Sequence, residues 1–539
     1  MSRINSSISS RLVVVLLASM VGMTLPAVEN QTRPRLVLGI VVDGLQADYI
    51  NNLRDYFSDG GFKRLMRDGV VIANADYGTS VDPVAATAMI MTGASPAVNG
   101  VSGQFIYDIT GDRLEPTLFD PNSIGNFTTD TYSPQKLLVS TLADEVRIAG
   151  GGVTDVYALS PDVQQALILG GHAGNSAFWI DDSNGNWATT TFYRDVPPVI
   201  GGRNRLIPLQ SRLDTMSWTP LLPVVDYPIV PDHLKRYPFK YTYPHAKAER
   251  YAMFKNSAPV NTEVTTLATE FINTLGLGKH DGVDMLNVTY TLQPFEFAKN
   301  TDNRLELIDS YLRLDRNLEQ LFNTADRATG GNSVIFLVAT PPSSTVRRDD
   351  EKWNIPYGEF STRKAGSLLN MYLMAVYGTG EWVTGYFNGH FYLNNRLIKD
   401  MNLDPKVVRA DAAAFVARMS GVKDVFTIDQ IFSGDAGDNA AALKRNTHIP
   451  TAGDIYVNVI PGWEIVNDFS NDKSISKHNR VERITSTTAP AFILAPNVNP
   501  QRLDKPVDVR IIAPTVARLL RWNRNRHYYH YIYDLNFST

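Results

Sequence analysis

The sequence predicts an α/β fold, with a mostly parallel central sheet flanked by helices and cap subdomains inserted over one edge. Three observations predict it. Short, uniformly apolar runs recur along the 539 residues, each followed by a turn and then by a helical pattern. Within these runs apolar residues do not alternate with polar ones, as expected of strands buried on both faces. Two stretches rich in aromatic residues and proline, at about 183–260 and 345–450, break the rhythm and read as insertions.

The elements follow in order. Residues 1–27 carry Arg3 and Arg11, then an uncharged, mostly apolar run from Leu12 to Leu25, then the small-residue site Pro26-Ala27. This is the pattern of a secretory signal peptide, and the run falls short of the ~20 residues that a membrane span needs. No later stretch is long and apolar enough to span. The α/β domain is expected over 34–539. Its first strand, Leu36 to Val42, ends in Asp43-Gly44; the C-terminal ends of such strands form the functional edge of an α/β sheet. The stretch "VDPVAATAMIMTG" reads as a helix entered through a turn, with Asp82 as N-cap and Pro83 at the first helical position. Further strands are expected at 153–160, 283–291, 332–340 and 489–496. A long amphipathic helix is expected at 303–325 and a closing helix at 513–522. The second insertion holds a hairpin pattern, "EWVTGYFNGHFYLNNRLI", and a short helix, "ADAAAFVARMSGV".

Composition bounds the function. The chain is 44% hydrophobic and 20% charged, with a net charge of −4. Lys and Arg are scattered, so no nucleic-acid footprint is present. There is no Cys. Disulfides, thiolate metal sites, Cys nucleophiles and a lipid anchor on Cys are therefore excluded.

In order along the chain, "IVVDGLQADYI", "GGFKRLMRDGV", "MTGASPAVNGVSG", "GGHAGNSAFWID", "NGNWATTTFY", "YLRLDRNLEQLF", "GDIYVNVIPGW" and "IIAPTVARLL" resemble the alkaline phosphatase superfamily. The nearest branch is the bacterial Thr-nucleophile phosphomonoesterases related to nucleotide pyrophosphatase/phosphodiesterases. The resemblance implies an alkaline-phosphatase-like sandwich and a site of two zinc ions held by Asp and His. Paired metals stabilise the attacking and leaving oxygens of phosphoryl transfer. A Thr nucleophile would sit at a helix N-terminus, where free N–H groups favour phosphate.

Carried over position by position, the resemblance implies a degenerate site. Asp43 is the one metal ligand kept. The nucleophile position is Pro83. The Asn phosphate contact falls on Gln104, and the Lys and Arg contacts on Asp162 and Gln164. The remaining ligand positions fall on Pro294, Ala298, Thr340, Pro341 and Thr488. Pro and Ala have no side-chain donor for zinc. No cofactor is therefore expected, although the family uses two zinc ions. Asp43 also has a plain reading, as a cap of the following helix. Thr87 and His172 read as packed, and His527 and His530 as part of a packed aromatic tail. Asp43, Asp82 and Asp162, with Glu296, would make the site repel phosphoesters.

The expectation is an exported, catalytically inactive pseudophosphatase, periplasmic or at the cell surface. It would act in binding or assembly with a protein partner at the cell envelope, its aromatic residues serving as anchors. It would bind no nucleic acid and have no transmembrane segment in the mature chain. One alternative is a phosphoric ester hydrolase, phosphomonoesterase or phosphodiesterase, with a rebuilt site using Thr79 or Ser80 with Asp43 and His478. Another is a glycan or small-ligand binding module in the cap cleft.

Overall fold

The computed structural model describes residues 33–108, 113–247, 249–298, 302–342, 358–434, 440–469, 480–481 and 487–520. The signal-peptide pattern at 1–27, His478, His527 and His530 lie outside the described residues. The central sheet has eleven strands: β1 (Leu36–Asp43), β2 (Val70–Asp76), β3 (Gly125–Asn126), β4 (Val156–Ser160), β5 (Ser176–Ile180), β6 (Trp187–Thr190), β7 (Asp284–Thr291), β8 (Ser333–Thr340), β9 (Thr488–Leu494), β10 (Gln501–Leu503) and β11 (Val507–Asp508). Their order across the sheet is β10-β2-β9-β8-β1-β7-β4-β5-β6-β3, with β11 beside β2.

β1 lies at the centre. It pairs in parallel with β7 and β8, so that Asp43 faces Thr291 on one side and Thr340 on the other. β7, β4 and β5 continue in parallel. β1 is buried up to Asp43, and β8 throughout. That is why these strands read as continuous apolar runs. β9 runs antiparallel between β8 and β2. Its sequence looks like that of its parallel neighbours because it is equally covered, so direction is not legible from it. The predicted α/β class, with a mostly parallel sheet, is what the chain adopts.

Helices α1 (Pro83–Thr92) and α2 (Val163–Gly170) pack together, as do α3 (Pro259–Leu275) and α4 (Arg304–Thr329). The aromatic stretch expected to present anchors to a partner is instead interior. Trp218, Tyr227, Tyr241 and Tyr243 are buried. The Trp218 indole N–H donates to Asp309 of α4 at 2.6 Å and the Tyr227 hydroxyl to the same carboxylate at 2.5 Å. Arg313 supplies the countercharge at 2.6 Å. Rings with a polar handle bury well when that handle finds a partner, and α4 provides the partners here. Tyr237, at 81% exposure, is an exception.

The second insertion, expected at about 345–450, continues through Val459 and has its own core, centred on Leu369, Trp382, Phe391, Ile398, Val408 and Val457. It forms a four-stranded sheet from Val383–Phe387, His390–Leu393, Ile455–Val459 and Val422–Thr427. Asn388 (φ 46°) and Gly389 (φ 80°) make its hairpin turn. Both need positive φ, the mark of a two-residue primed turn, and Asn-Gly meets that need. Among the described residues, no helix is long and apolar enough to cross a membrane.

Candidate functional site

The site is built at the edge where β1 and β8 end and β9 begins. Asp82 is the N-cap of α1; its Oδ1 accepts the Ala85 N–H at 2.9 Å. Pro83 follows at the first helical position, where its missing N–H costs nothing. The helix is buried from Val84 to Met91 and ends at Gly93, whose φ of 63° closes it in the left-handed region. Asp82 Oδ2 accepts the Gln104 N–H at 2.5 Å. The Gln104 carbonyl accepts Gln164 Nε2–H at 2.7 Å, and Gln164 Oε1 accepts the Leu118 N–H at 2.9 Å. Two positions that the resemblance assigns to phosphate, Gln104 and Gln164, are thus tied with Asp82 into one hydrogen-bonded circuit.

Asp162 caps α2, accepting the Gln165 N–H at 2.9 Å. Gln165 is the residue that sequence reasoning missed. Its Nε2 donates to Asp43 Oδ1 and to Thr87 Oγ1, each at 3.1 Å. Thr340 donates to the same Asp43 oxygen at 3.1 Å. Asp43 is therefore not a helix cap: the next helix, Ala47–Asn52, starts from Gln46 without a side-chain cap. Asp43 is held by two neutral donors and no cation. It keeps some accessible surface, but protein atoms surround it. Burial pushes its carboxyl up to about 7, Asp162 and Asp82 add to the rise, and the Gln165 and Thr340 bonds oppose it. Burial likewise raises Asp82 and Asp162, opposed by backbone N–H groups at Asp82 and chiefly by Lys255 at Asp162.

The other sequence candidates are placed as follows. Thr87 is buried, and its hydroxyl returns to the Pro83 carbonyl at 2.7 Å. His172 binds Asp144 at 3.1 Å and the Leu137 carbonyl at 3.0 Å. The Thr79 hydroxyl accepts a hydrogen bond from the Asn446 side-chain amide of the second insertion. Glu296 is exposed. Thr340 and Pro341 are buried beside Asp43; Thr488 pairs with Asp76 at the start of β9; Pro294 and Ala298 are half-buried just after β7.

Beside this edge an open cleft of about 950 Å³, counting its mouth, lies between the α1 turn and the second insertion. The sheet side supplies Thr79, Ser80 and Asp82. The insertion supplies His390, Tyr392 and His448. The sequence signal for this wall was the Asn-Gly hairpin, which delivers His390, but nothing in the sequence fixed where the hairpin docks.

A family model, Type I phosphodiesterase / nucleotide pyrophosphatase, matches residues 37–483. A protein of Myroides odoratus named calcium-transporting ATPase is 28% identical over 522 residues, covering 92% of this chain and 93% of that protein. Alkaline phosphatase PafA of Elizabethkingia meningoseptica is 25% identical over 523 residues, covering 91% and 92%. The crystal structure of wild-type PafA superposes with a TM-score of 0.79 at 23% identity, covering 91% of this chain and 96% of that one. A solved variant of the same phosphatase carries replacements of a Thr, an Asn, a Lys and an Arg.

These matches correct one expectation. A cofactor-free chain was expected, but the chain aligns over nine-tenths of its length with an alkaline phosphatase, in a superfamily that by the resemblance uses two zinc ions. Zinc is thus the group the comparisons imply. The donors at the matched positions do not fit a pair of zinc ions: Asp43 is the one carboxylate among Pro294, Ala298, Thr340, Pro341 and Thr488. Among the described residues no group of three or more His, Asp or Glu side chains could hold a metal ion. No chemical step is routed through zinc here. At the level of the family, the comparisons back the phosphoric ester hydrolase alternative better than the inactive reading.

Proposed function

Because the chain belongs to the type I phosphodiesterase / nucleotide pyrophosphatase family, within the alkaline phosphatase superfamily, we propose that it uses the family's cleft to bind a ligand rather than to transfer a phosphoryl group through a threonine. The observation that carries this is the turn Asp82-Pro83. Pro83 has neither a hydroxyl to attack phosphorus nor an N–H to meet an oxyanion. Asp82 already occupies the N–H of Ala85 with its own carboxylate. A carboxylate at a helix N-terminus is stabilised by the dipole and repels a second anion. The four residues replaced in the solved phosphatase variant support the register. Its Thr and Asn have the spacing of Pro83 and Gln104, and its Lys and Arg have that of Asp162 and Gln164.

The reading includes an exported location, periplasmic or at the cell surface, supported by the leader pattern in residues 1–27. The protein-partner expectation loses the argument from aromatic anchors, because those rings are buried. The second reading, a phosphoric ester hydrolase, is favoured by the similarity to alkaline phosphatase over nine-tenths of the chain. One assay separates the two. Hydrolysis of p-nitrophenyl phosphate and bis-p-nitrophenyl phosphate is followed with and without added zinc, alongside metal analysis. The binding reading expects background rates throughout. Turnover that chelation abolishes would overturn it in favour of the hydrolase.

A further inference from the structure

We propose that the ribbon 233–247 of the first insertion is a docking surface for an anionic bilayer, which it meets at the level of the lipid headgroups. The inference goes beyond the binding reading and does not depend on it, since none of the ribbon's residues lines the cleft.

The charge comes from the sequence. Lys and Arg are scattered over the chain as a whole, but residues 233–247 hold Lys235, Arg236, Lys240 and Lys247 and no Asp or Glu. Asp226 and Asp232 come before the ribbon and Glu249 after it. Arg236, Lys240 and Lys247 are exposed and Lys235 is half-buried. Among the described residues no ion pair or hydrogen bond holds any of the four side chains. The whole chain carries −4, so attraction to an anionic surface has to come from a local patch such as this one.

The ribbon is fastened from inside. Tyr241 and Thr242 pair with Trp218 and Ser217 in a two-residue antiparallel ladder. The Phe239 ring lies 5.0 Å from that of Trp218. The Tyr241 hydroxyl donates to Glu306 at 2.6 Å, and the Tyr243 hydroxyl shares a hydrogen bond with Ser257 at 2.7 Å. Alternate residues of an extended chain face opposite sides. With 239, 241 and 243 turned inward, Lys240, Thr242 and Pro244 are exposed. The cations are therefore displayed on an anchored element.

Apolar groups stand beside them. Tyr237, next to Arg236, is 81% exposed, more than any other large apolar side chain among the described residues. Val225 and Ile229, in the excursion that the same ladder closes, are 70% and 50% exposed. A soluble polyanion would engage the cations and leave these groups in water. A headgroup layer accommodates both: cations meet anionic lipid, and an amphipathic ring settles at the interface.

Each Lys or Arg near an anionic membrane strengthens attachment roughly fivefold. The test is co-sedimentation of residues 34–539, a compact unit in its own right, which leaves out the apolar run at 12–25. The vesicles are phosphatidylcholine alone, or phosphatidylcholine with about one-third phosphatidylglycerol. Binding to the anionic vesicles should be at least tenfold tighter, and should fall at least tenfold between about 0.05 M and about 0.5 M salt. Arg236→Gln with Lys240→Gln should weaken it at least tenfold, and Tyr237→Ser at least threefold. Melting temperatures should not change, because all three side chains are exposed. Lys399→Gln with Lys406→Gln, exposed on the second insertion, should leave binding unchanged. No binding, equal binding to neutral vesicles, a loss in the control pair as large as in the ribbon pair, or an unaffected Tyr237→Ser overturns the proposal. Binding to soluble dextran sulfate as tight as to the anionic vesicles also overturns it, in favour of a polyanion. Phosphoester turnover sinks the binding reading and leaves this surface standing.

Discussion

Asp43 is a carboxylate without a countercharge, and its energetics distinguish what the edge of the sheet is for. Its folded pKa, about 7, lies well above the 3.8 of a free aspartate. The folded chain therefore holds an extra proton between these values. The neutral form's stability is fully present below about pH 4 and is lost as pH rises through about 7. An amide imitates the neutral acid and accepts the same bonds from Gln165 and Thr340. Asp43→Asn is expected to raise the unfolding free energy by about 2–4 kcal/mol at about pH 8.5, and by much less at about pH 4. Denaturant melts at the two pH values check it; a carboxylate serving as a zinc ligand would give a loss at high pH instead. Pro83→Thr is expected to leave p-nitrophenyl phosphate turnover at background, because Asp82, Gln104, Asp162 and Gln164 still close the turn to phosphate. Much of this was legible in the sequence: Pro at the nucleophile position and Asp at the cap follow from counting along one helix. Gln165 was not, because its role depends on the three-dimensional approach of α2 to β1 and α1.

Among the elements, α3 shows how the first insertion is fastened. Glu263 of α3 is nearly fully buried. Burial would raise its pKa, but hydrogen bonds from Arg212 and Arg203 outweigh burial and hold it at about 2. The Trp187 indole donates to the same carboxylate at 2.9 Å. The pKa is depressed, so the stability this group contributes is present above about 4.5 and is lost as pH falls through about 2. Glu263→Gln takes the carboxylate from Arg212 and leaves Arg203 with Glu270 alone. It is expected to cost about 3–5 kcal/mol at neutral pH, with the deficit shrinking in acid; thermal melts across pH check it. The strands and the long helix were read from apolar periodicity close to their observed positions, since both depend on local pattern. The antiparallel direction of β9 and the burial of the Trp218 and Tyr227 rings were not, since both depend on elements far away in sequence.

For the whole molecule, the decisive fact is that the described chain has two hydrophobic cores, one around the central sheet and one within the second insertion. Residues that share a core open together, and separate cores open separately. Hydrogen exchange is expected to deprotect the insertion's strands, Val383–Leu393 and Ile455–Val459, at lower free energy than β1 and β8. Mass spectrometry of peptides from these segments checks it; simultaneous loss of protection would show one cooperative unit. The cleft lies at the junction of the two cores, which explains why one sequence stretch gives no view of it.

The carboxylate of Asp82 at the head of α1 has a consequence for how the cleft meets its surroundings. The helix carries its own anion, already bonded to Ala85 and Gln104, so capture of an uncharged ligand displaces no ions. Long-range attraction, with its steep dependence on salt, plays no part in the encounter. Affinity for an uncharged ligand should hold constant from about 0.05 M to about 0.5 M salt, as calorimetry can read directly. Selection in this cleft would rest on shape and hydrogen bonds alone, indifferent to the ionic strength around it.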